Sequence, residues 1–369
     1  MTTLPKIFIT GATGYIGGDA LYAIFAKHPE YKYTVLVRSP EKAEQVQAQY
    51  PSIRVVIGDL DDSALLEKES AEADIVLRVS HHMTVFVIKF PITNKPDTAD
   101  ASDHEGAANA IAKGLEKGHS KEKPGYWLHT GGTGILTFHD TDRNVFGEGS
   151  DKVYNDWDGV DELLNLPEHA FHRNVDRVVL ETAKAKGDVV KTASVCPPTI
   201  YGRGRGPVSV RGRQVYELAK VTLQLKKAPL IGDGKSVWNN IHIYDLSELY
   251  VLLVEAAVHG RDDPELWGER AYYLTENGEH VWGELAVATA LTATELGLLS
   301  AVEKEKISLE DAKKYGGYEA LSWGLNSRGR ARRGAKVLGW TPTQPSIEAT
   351  LPEILEDEVK RMTTQAQRA

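Results

Sequence analysis

Short apolar runs alternate with amphipathic segments through the first half of the chain. These runs have the length and β-branched content of buried strands: KIFIT (6–10), YTVLVR (33–38), IRVVIGD (53–59), ADIVL (73–77), GYWLHT (125–130) and VVKTASV (189–195). Between them, GGDALYAIFAKH (17–28) and EGAANAIAKGLEKG (105–118) carry apolar residues at helical spacing. Because parallel strands need crossover connections that pack on the sheet, this alternation predicts an α/β fold with a doubly wound parallel sheet.

The alternation stops after Val195. A Gly-rich stretch, YGRGRGP (201–207), a predicted helix from about Gln214 to Lys227, and IGDGKSVWNNIHIYDL (231–246) follow. A chain of 369 residues is long enough for two domains or for one large α/β unit with an appended lobe.

The composition disfavours some partners. The net charge is −9 and the sequence pI is about 5.8, a balance that favours neither nucleic acid nor an anionic membrane. The single cysteine, Cys196, excludes an internal disulfide and fits a reducing compartment. No secretory leader precedes the first predicted strand, and no apolar run approaches the length that spans a bilayer. We therefore expect a cytoplasmic protein.

Two basic clusters run against the net negative charge. They comprise Arg203, Arg205, Arg211 and Arg213, and then Arg328, Arg330, Arg332, Arg333 and Lys336. We expect solvated loops and a solvated helix face at these positions, with an anion site as the alternative.

The segment TGATGYIGG (10–18) closes the first predicted strand and opens the first predicted helix. Its glycines permit a tight turn and close approach of the backbone to a ligand, and the helix N-terminus can hold a pyrophosphate through its N–H groups. This strand–turn–helix context predicts a dinucleotide site rather than an ordinary Gly-rich turn. The expected cofactor contacts are Gly11, Thr13, Gly14, Tyr15, Ile16 and Gly17.

The end of the second strand indicates which dinucleotide binds. An acidic residue there would hold the ribose 2′-hydroxyl of NAD, whereas this chain has Arg38 and, a turn later, Lys42. A guanidinium suits the 2′-phosphate of NADP, so NADP is the expected cofactor, with NAD as the alternative. Asp59 and Leu60, after the third strand, are expected to flank the adenine; alternatively, Asp59 caps the next helix.

With these residues in view, the chain resembles the extended and atypical short-chain dehydrogenase/reductase superfamily, in particular its NmrA-like and nucleotide-sugar-epimerase-like members. The resemblance covers nearly the whole chain: TGATGYIGG, the GDL of 58–60, HTGGTGIL (129–136), PPTIYG (197–202), GDGKSVWNNIHIYDL (232–246) and the closing LGW-P (338–342). It implies an NADP-binding Rossmann domain over 1–201, to which 241–259 returns. It also implies a smaller substrate lobe over 202–240 and 260–369, and a monomer or homodimer.

The resemblance also implies roles for two later segments. Pro197, Pro198, Thr199 and Ile200 are expected to pack on the nicotinamide. The other segment is expected to bring Trp238, Asn240 and His242 towards a small-molecule substrate. For His242 taken alone, a structural role is favoured.

The chain departs from the family at the catalytic positions. Where a serine is usual after the fifth strand, it has Thr130 and Thr133, and where the tyrosine and lysine are usual, FHRNVD (171–176) has His172 and Asp176. A helix over 172–186 would place these two side chains on one face, where the carboxylate stabilises an imidazolium able to donate a proton to a carbonyl oxygen. The alternative is an ordinary surface pair of residues.

Residues 78–97, RVSHHMTVFVIKFPITNKPD, are an anomalous insertion after the fourth strand. Long inserts within compact domains are uncommon. Back-translation of this segment permits splice-like signals, and joining parts of the codons for Arg78 and Asp97 would encode a single histidine. We therefore hypothesise that the segment is translated intron. The alternative is a real loop. No metal site is predicted, and His81 and His82 do not suggest one.

These features predict an NADPH-dependent reductase of carbonyls or aldehydes. The first alternative is an enzyme resembling nucleotide-sugar epimerases and dehydratases. The second is a non-catalytic NADP-binding redox sensor of the NmrA type.

Overall fold

The computed structural model describes residues 4–79 and 104–368, and this part of the chain forms an α/β architecture. Its strands are β1 (Lys6–Thr10), β2 (Lys32–Val37), β3 (Arg54–Ile57), β4 (Ile75–Arg78), β5 (Gly125–Thr130), β6 (Tyr154–Asn155), β7 (Val190–Cys196), β8 (Thr199–Tyr201), β9 (Ala228–Ile231), β10 (Val237–His242), β11 (Tyr272–Leu274), β12 (Glu279–Val281), β13 (Lys304–Ile307) and β14 (Gly329–Arg330).

The helices lie between these strands and at the C-terminal end. They are α1 (Tyr15–Lys27), α2 (Pro40–Gln49), α3 (Ser63–Glu72), α4 (Glu105–Gly118), α5 (Phe138–Arg143), α6 (Val160–Leu164), α7 (Arg173–Lys186), α8 (Gln214–Leu225), α9 (Ile243–Val258), α10 (Trp282–Glu295), α11 (Leu309–Gly316), α12 (Arg333–Leu338) and α13 (Ile347–Arg368). No described helix is long and apolar enough to cross a bilayer.

Seven parallel strands form the main sheet in the order β3-β2-β1-β4-β5-β7-β11. Its two faces carry separate apolar cores, because successive side chains of a strand point to opposite sides. Ile7 and Ile9 pack on the α1 and α9 side, whereas Phe8 packs on the α3, α4 and α7 side. The predicted doubly wound sheet is confirmed. Its order reverses between β1 and β4, where such sheets bind ligands at the carboxyl ends of their strands.

A further core lies outside the main sheet. It is enclosed by α8, α10, α11 and α13 and contains Trp238, Trp282 and Trp323. Three small sheets border it or join it to the rest of the chain: β8-β10-β12, β9-β13 and β6-β14. We call this region the lobe.

The main sheet includes a strand from the segment 260–369, which the resemblance assigns to the substrate lobe. β11 lies within 260–369, yet it pairs with β7, and Ser194 lies opposite Tyr272. The backbone of β11 thereby finds its hydrogen-bond partners in the main sheet. The segment 260–369 therefore contributes to both regions. Of the insertion 78–97, only Arg78 and Val79 lie within the described residues.

Candidate active site

The glycine loop has the geometry that a dinucleotide site requires. Gly11 has φ +77°, a conformation that L side chains rarely adopt. A Cβ on Gly17 would lie 2.3 Å from the carbonyl oxygen of Gly11, so helix and loop approach too closely for any side chain there. The Gly14 N–H closes the turn by donating to the Gly11 carbonyl over 2.8 Å.

The first turn of α1 offers free N–H groups to a ligand. Gly14 is the N-cap and provides no capping side chain, and the first turn carries no acidic residue. The N–H groups of Tyr15 and Ile16 precede the first hydrogen bond of the helix, which Gly18 donates to Gly14. Together with the helix dipole, this arrangement fits a pyrophosphate.

The predicted adenosine residues line one cleft beside this loop. The cleft is bordered by Gly11, Thr13, Leu36, Val37, Arg38, Asp59, Leu60 and Val79. The carboxylate of Asp59 accepts hydrogen bonds from the N–H groups of Asp61 and Asp62. Asp62, and not Asp59, caps α3. Asp59 therefore lines the cleft and also holds the turn that precedes α3.

One cation, Arg38, borders this cleft, and a second, Lys42, follows it in the chain. Arg38 is exposed and has no ion-pair partner in the part of the chain that the structure describes. Lys42 lies one turn into α2, and burial together with the charge of Arg38 lowers its pKa. The two side chains repel each other, and a bound dianion would relieve that repulsion.

The loop after β5 lies against the end of β7. Thr133 N–H donates to the Pro197 carbonyl over 3.0 Å, and the Ser327 hydroxyl donates to the Thr133 carbonyl over 2.7 Å. The hydroxyl of Thr133 is buried and has no hydrogen-bond partner among the described residues. The Thr130 hydroxyl, by contrast, shares a 2.5 Å hydrogen bond with Tyr250 in the core. Of the two predicted threonines, only Thr133 has a hydroxyl without a hydrogen-bond partner among the described residues.

His172 reaches this loop from an unusual backbone position. The helix predicted from residue 172 begins instead at Arg173, and His172 precedes it with φ +66°. Its Nε2 lies 3.5 Å from where a Cβ on Gly132 would be. Non-glycine residues seldom adopt this conformation, and such strain is concentrated at functional sites.

Asp176 forms a buried ion pair with Arg173. Its Oδ2 accepts a hydrogen bond of 2.5 Å from Arg173 Nη1. Burial raises its pKa to about 6, although the charges of Arg173 and His172 act in the opposite direction. His172 is 7% exposed and Asp176 is 4% exposed, so the two do not form the surface pair of the alternative interpretation.

The structure adds polar residues that the sequence analysis did not identify. Arg78 and His129 end neighbouring strands and are buried, with 3.4 Å between Arg78 Nη1 and His129 Nδ1. Burial lowers the pKa of His129 well below its usual value, and the charges of Arg78 and His172 lower it further. Their positions at the carboxyl ends of β4 and β5 were the available signal.

The segments that the resemblance assigns to nicotinamide and substrate are largely buried. Pro197, Pro198 and Thr199 are buried and Ile200 is half-buried. The Thr199 hydroxyl has no hydrogen-bond partner within the described ranges.

The predicted substrate residues make contacts inside the protein. His242 caps α9, since its Nδ1 accepts from the Tyr244 N–H, which is a structural role. Trp238 belongs to the core of the lobe. Asn240 Nδ2 lies 3.1 Å from Nδ1 of His280, whose pKa burial lowers to about 3. These contacts do not place any of the three beside His172.

The basic clusters are largely neutralised by acidic partners. The ion pairs are Arg203–Asp357, Arg205–Asp19, Arg211–Glu358, Arg328–Glu279, Arg330–Glu276, Arg332–Asp158 and Arg333–Glu265. The clusters therefore connect segments of the protein rather than form an open anion site. Within residues 4–79 and 104–368, no group of three or more His, Cys, Asp or Glu side chains could hold a metal ion.

Comparison with known proteins identifies relatives along the whole chain. A family described as NAD(P)H-binding matches residues 11–120. Oxidase ucsJ from Acremonium sp is 39% identical over 365 residues, covering 97% of this chain and 98% of that protein. An uncharacterised protein of Saccharomyces cerevisiae is 25% identical, with coverage of 92% and 95%.

Solved structures share the fold at low sequence identity. MoeE5 in complex with UDP-glucose and NAD is similar with a TM-score of 0.62 at 17% identity, covering 97% of this chain and 99% of that one. UDP-glucose 4-epimerase from Thermotoga maritima has a TM-score of 0.60 at 13% identity, with coverage of 97% and 99%.

Proposed function

The chain belongs to the extended short-chain dehydrogenase/reductase superfamily, and from this premise we propose that it is an NADP-dependent oxidoreductase of a small carbonyl compound or the corresponding alcohol. The observation that carries the proposal is the position of His172. This buried histidine has a strained backbone, and its imidazole lies against the loop after β5, at the edge of the sheet where the strands end.

The preference for NADP rests on the adenosine end of the cleft. Arg38 presents an unpaired guanidinium among the described residues, and Lys42 adds a second cation one helical turn away. A 2′-phosphate would bind the exposed guanidinium of Arg38 and place a negative charge near Lys42, whereas a 2′-hydroxyl carries no charge to attract either cation.

In the proposed reaction, the cofactor and the protein would each supply one of the two groups that are transferred. Bound NADPH would supply a hydride to the carbonyl carbon, so the protein must deliver a proton to the carbonyl oxygen. We assign the proton to His172 and a supporting hydrogen bond to the Thr133 hydroxyl, which has no other partner in the described ranges. In the reverse direction, neutral His172 would accept the proton of an alcohol. The relative named an oxidase is compatible with that direction.

An epimerase or dehydratase acting on nucleotide sugars is supported less well. MoeE5 and UDP-glucose 4-epimerase show that this fold serves such substrates. This chain lacks the tyrosine and lysine usual in the family, and most arginines of its two basic clusters already bind carboxylates. A diphosphate would have to displace these partners.

The proposal is tested in two steps. NADPH and NADH are first titrated against the protein by nicotinamide fluorescence, and a panel of aldehydes, ketones and alcohols is then screened for a change in NADPH or NADP⁺ absorbance. We expect tighter binding of NADPH than of NADH, and turnover of at least one carbonyl–alcohol pair. Tight binding without turnover of any substrate would instead indicate the redox sensor, and absence of binding would overturn the proposal.

A further inference from the structure

The loop between β8 and α8, residues 202–213, lies across the start of the cofactor helix. Gly206 and Gly18 touch backbone to backbone, since a Cβ on Gly206 would lie 2.6 Å from the Gly18 Cα. The hydroxyl of Tyr15 donates to the Gly202 carbonyl. The residue whose N–H opens the pyrophosphate site thus holds this loop through its side chain.

Arg205 fixes the loop to α1 through a buried carboxylate. Asp19 is completely buried. It accepts from the Arg205 backbone N–H over 2.8 Å, from Nε over 3.1 Å and from Nη2 over 2.6 Å. The Ser247 hydroxyl of α9 also donates to it, over 2.6 Å. A buried carboxylate with four donors is strongly held, and removing its cation would leave an uncompensated charge.

Two aromatic rings enclose the guanidinium of Arg205. Its Cζ lies 3.8 Å from the ring centroid of Tyr244 and 4.6 Å from that of Tyr22. The flat guanidinium can stack on rings while it binds a carboxylate, which a lysine ammonium cannot do equally well. The contacts at this position therefore favour an arginine over a lysine.

The same loop is joined to the lobe by its other arginines. Arg203 pairs with Asp357 of α13 at 3.2 Å. Arg211 bonds Glu358 of α13 at 2.5 Å and Glu217 of α8 at 2.7 Å. The loop thus connects the start of α1 to two helices of the lobe.

We propose that Arg205 is a positioning residue for the cofactor: by joining loop 202–213 to α1 it fixes the N–H groups that bind the pyrophosphate and links cofactor affinity to the position of the lobe. This inference rests on the proposed dinucleotide function. It assigns Arg205 no contact with the reacting atoms.

The test compares NADPH affinity in Arg205→Met with that in Arg203→Met. Both changes remove an arginine from one loop, but the Arg203 side chain is 55% exposed and its ion pair should contribute little. We expect Arg205→Met to weaken NADPH binding about tenfold or more, because small displacements of binding groups are costly. Arg203→Met should bind like the wild type, and Arg205→Lys should recover part of the loss.

The double variant Arg205→Met/Asp19→Asn separates positioning from simple loss of stability. It removes the buried charge that Arg205→Met leaves unpaired, so thermal stability should largely recover. If Arg205 positions the cofactor helix, NADPH binding stays weak in this variant. If affinity recovers with stability, or if Arg205→Met binds normally, the positioning role is wrong. Wild-type protein that fails to bind NADPH would overturn the proposed function instead.

Discussion

The two ends of the proposed cofactor site are built in different ways. The adenosine end, formed by the loops after β1, β2 and β3, takes its functional groups from short continuous segments. The proposed catalytic end, formed by the loops after β5 and β7 and the start of α7, assembles Thr133, His172 and Pro197 from distant parts of the chain. Local motifs therefore determine the first end, whereas tertiary packing determines the second.

The largest effect is expected at the catalytic end, from the loss of His172. His172→Asn and His172→Phe should lower turnover by about a hundredfold or more while leaving NADPH affinity nearly unchanged, because the proton-transfer group is lost. Asparagine is the cleaner change, since it tolerates the left-handed backbone of this position. The measurement is steady-state kinetics beside an NADPH titration.

His169→Asn is the matched control for this experiment. His169 is three residues earlier, its side chain is 62% exposed, and it pairs with Asp142. Its loss should not change turnover. If the His172 variants turn over at the wild-type rate, Thr133 or water is the proton source, and the catalytic end does not depend on FHRNVD.

At the adenosine end, Arg38→Asp should reverse the cofactor preference. A carboxylate would repel the 2′-phosphate and accept from the ribose 2′-hydroxyl, so the ratio of NADPH to NADH affinity should fall about tenfold or more. Lys32→Asp, at the other end of the same strand and also exposed, should leave the ratio unchanged. An unaltered ratio in Arg38→Asp would mean that Arg38 does not meet the phosphate.

The same contrast explains what the sequence could predict. Gly11, Gly14 and Gly17 specify a turn within seven residues, and Arg38 follows its strand directly, so spacing alone located them. The region around His172 was harder, because its left-handed backbone depends on packing against residues far along the chain. A helical pattern starting at 172 could not show that the helix begins one residue later. Helical spacing is compatible with the contact between Arg173 and Asp176, which are three residues apart, but spacing could not show that Thr130 binds Tyr250.

A smaller effect is expected from the buried carboxylate of Asp176. Its pKa is raised from 3.8 to about 6 in the folded protein, chiefly by burial. The folded state therefore holds this proton more tightly than the unfolded state. The stabilisation is complete below about pH 4 and is lost as pH rises through 6, by up to about 3 kcal/mol from this group.

Asp176→Asn tests this linkage, since asparagine does not titrate. The free energy of unfolding, measured by urea denaturation between pH 4 and 8, should fall less with pH in the variant than in the wild type. The slope is the useful quantity, because the variant also loses the ion pair with Arg173 and its absolute stability changes for that reason. Parallel pH profiles would show that Asp176 keeps an ordinary pKa.

The smallest effect concerns the boundary between the two ends, after β4, where the insertion 78–97 begins. If that segment is translated intron, a chain in which a single histidine replaces residues 78–97 should fold, bind NADPH within about twofold of the present chain and keep its stability within about 1 kcal/mol. Sequencing of the transcript should also reveal the spliced form. The replacement removes the 3.4 Å contact between Arg78 and His129, but histidine can still offer a ring nitrogen at the end of β4. Loss of folding in the shortened chain, or a transcript that is never spliced, would show that the segment belongs to the native protein.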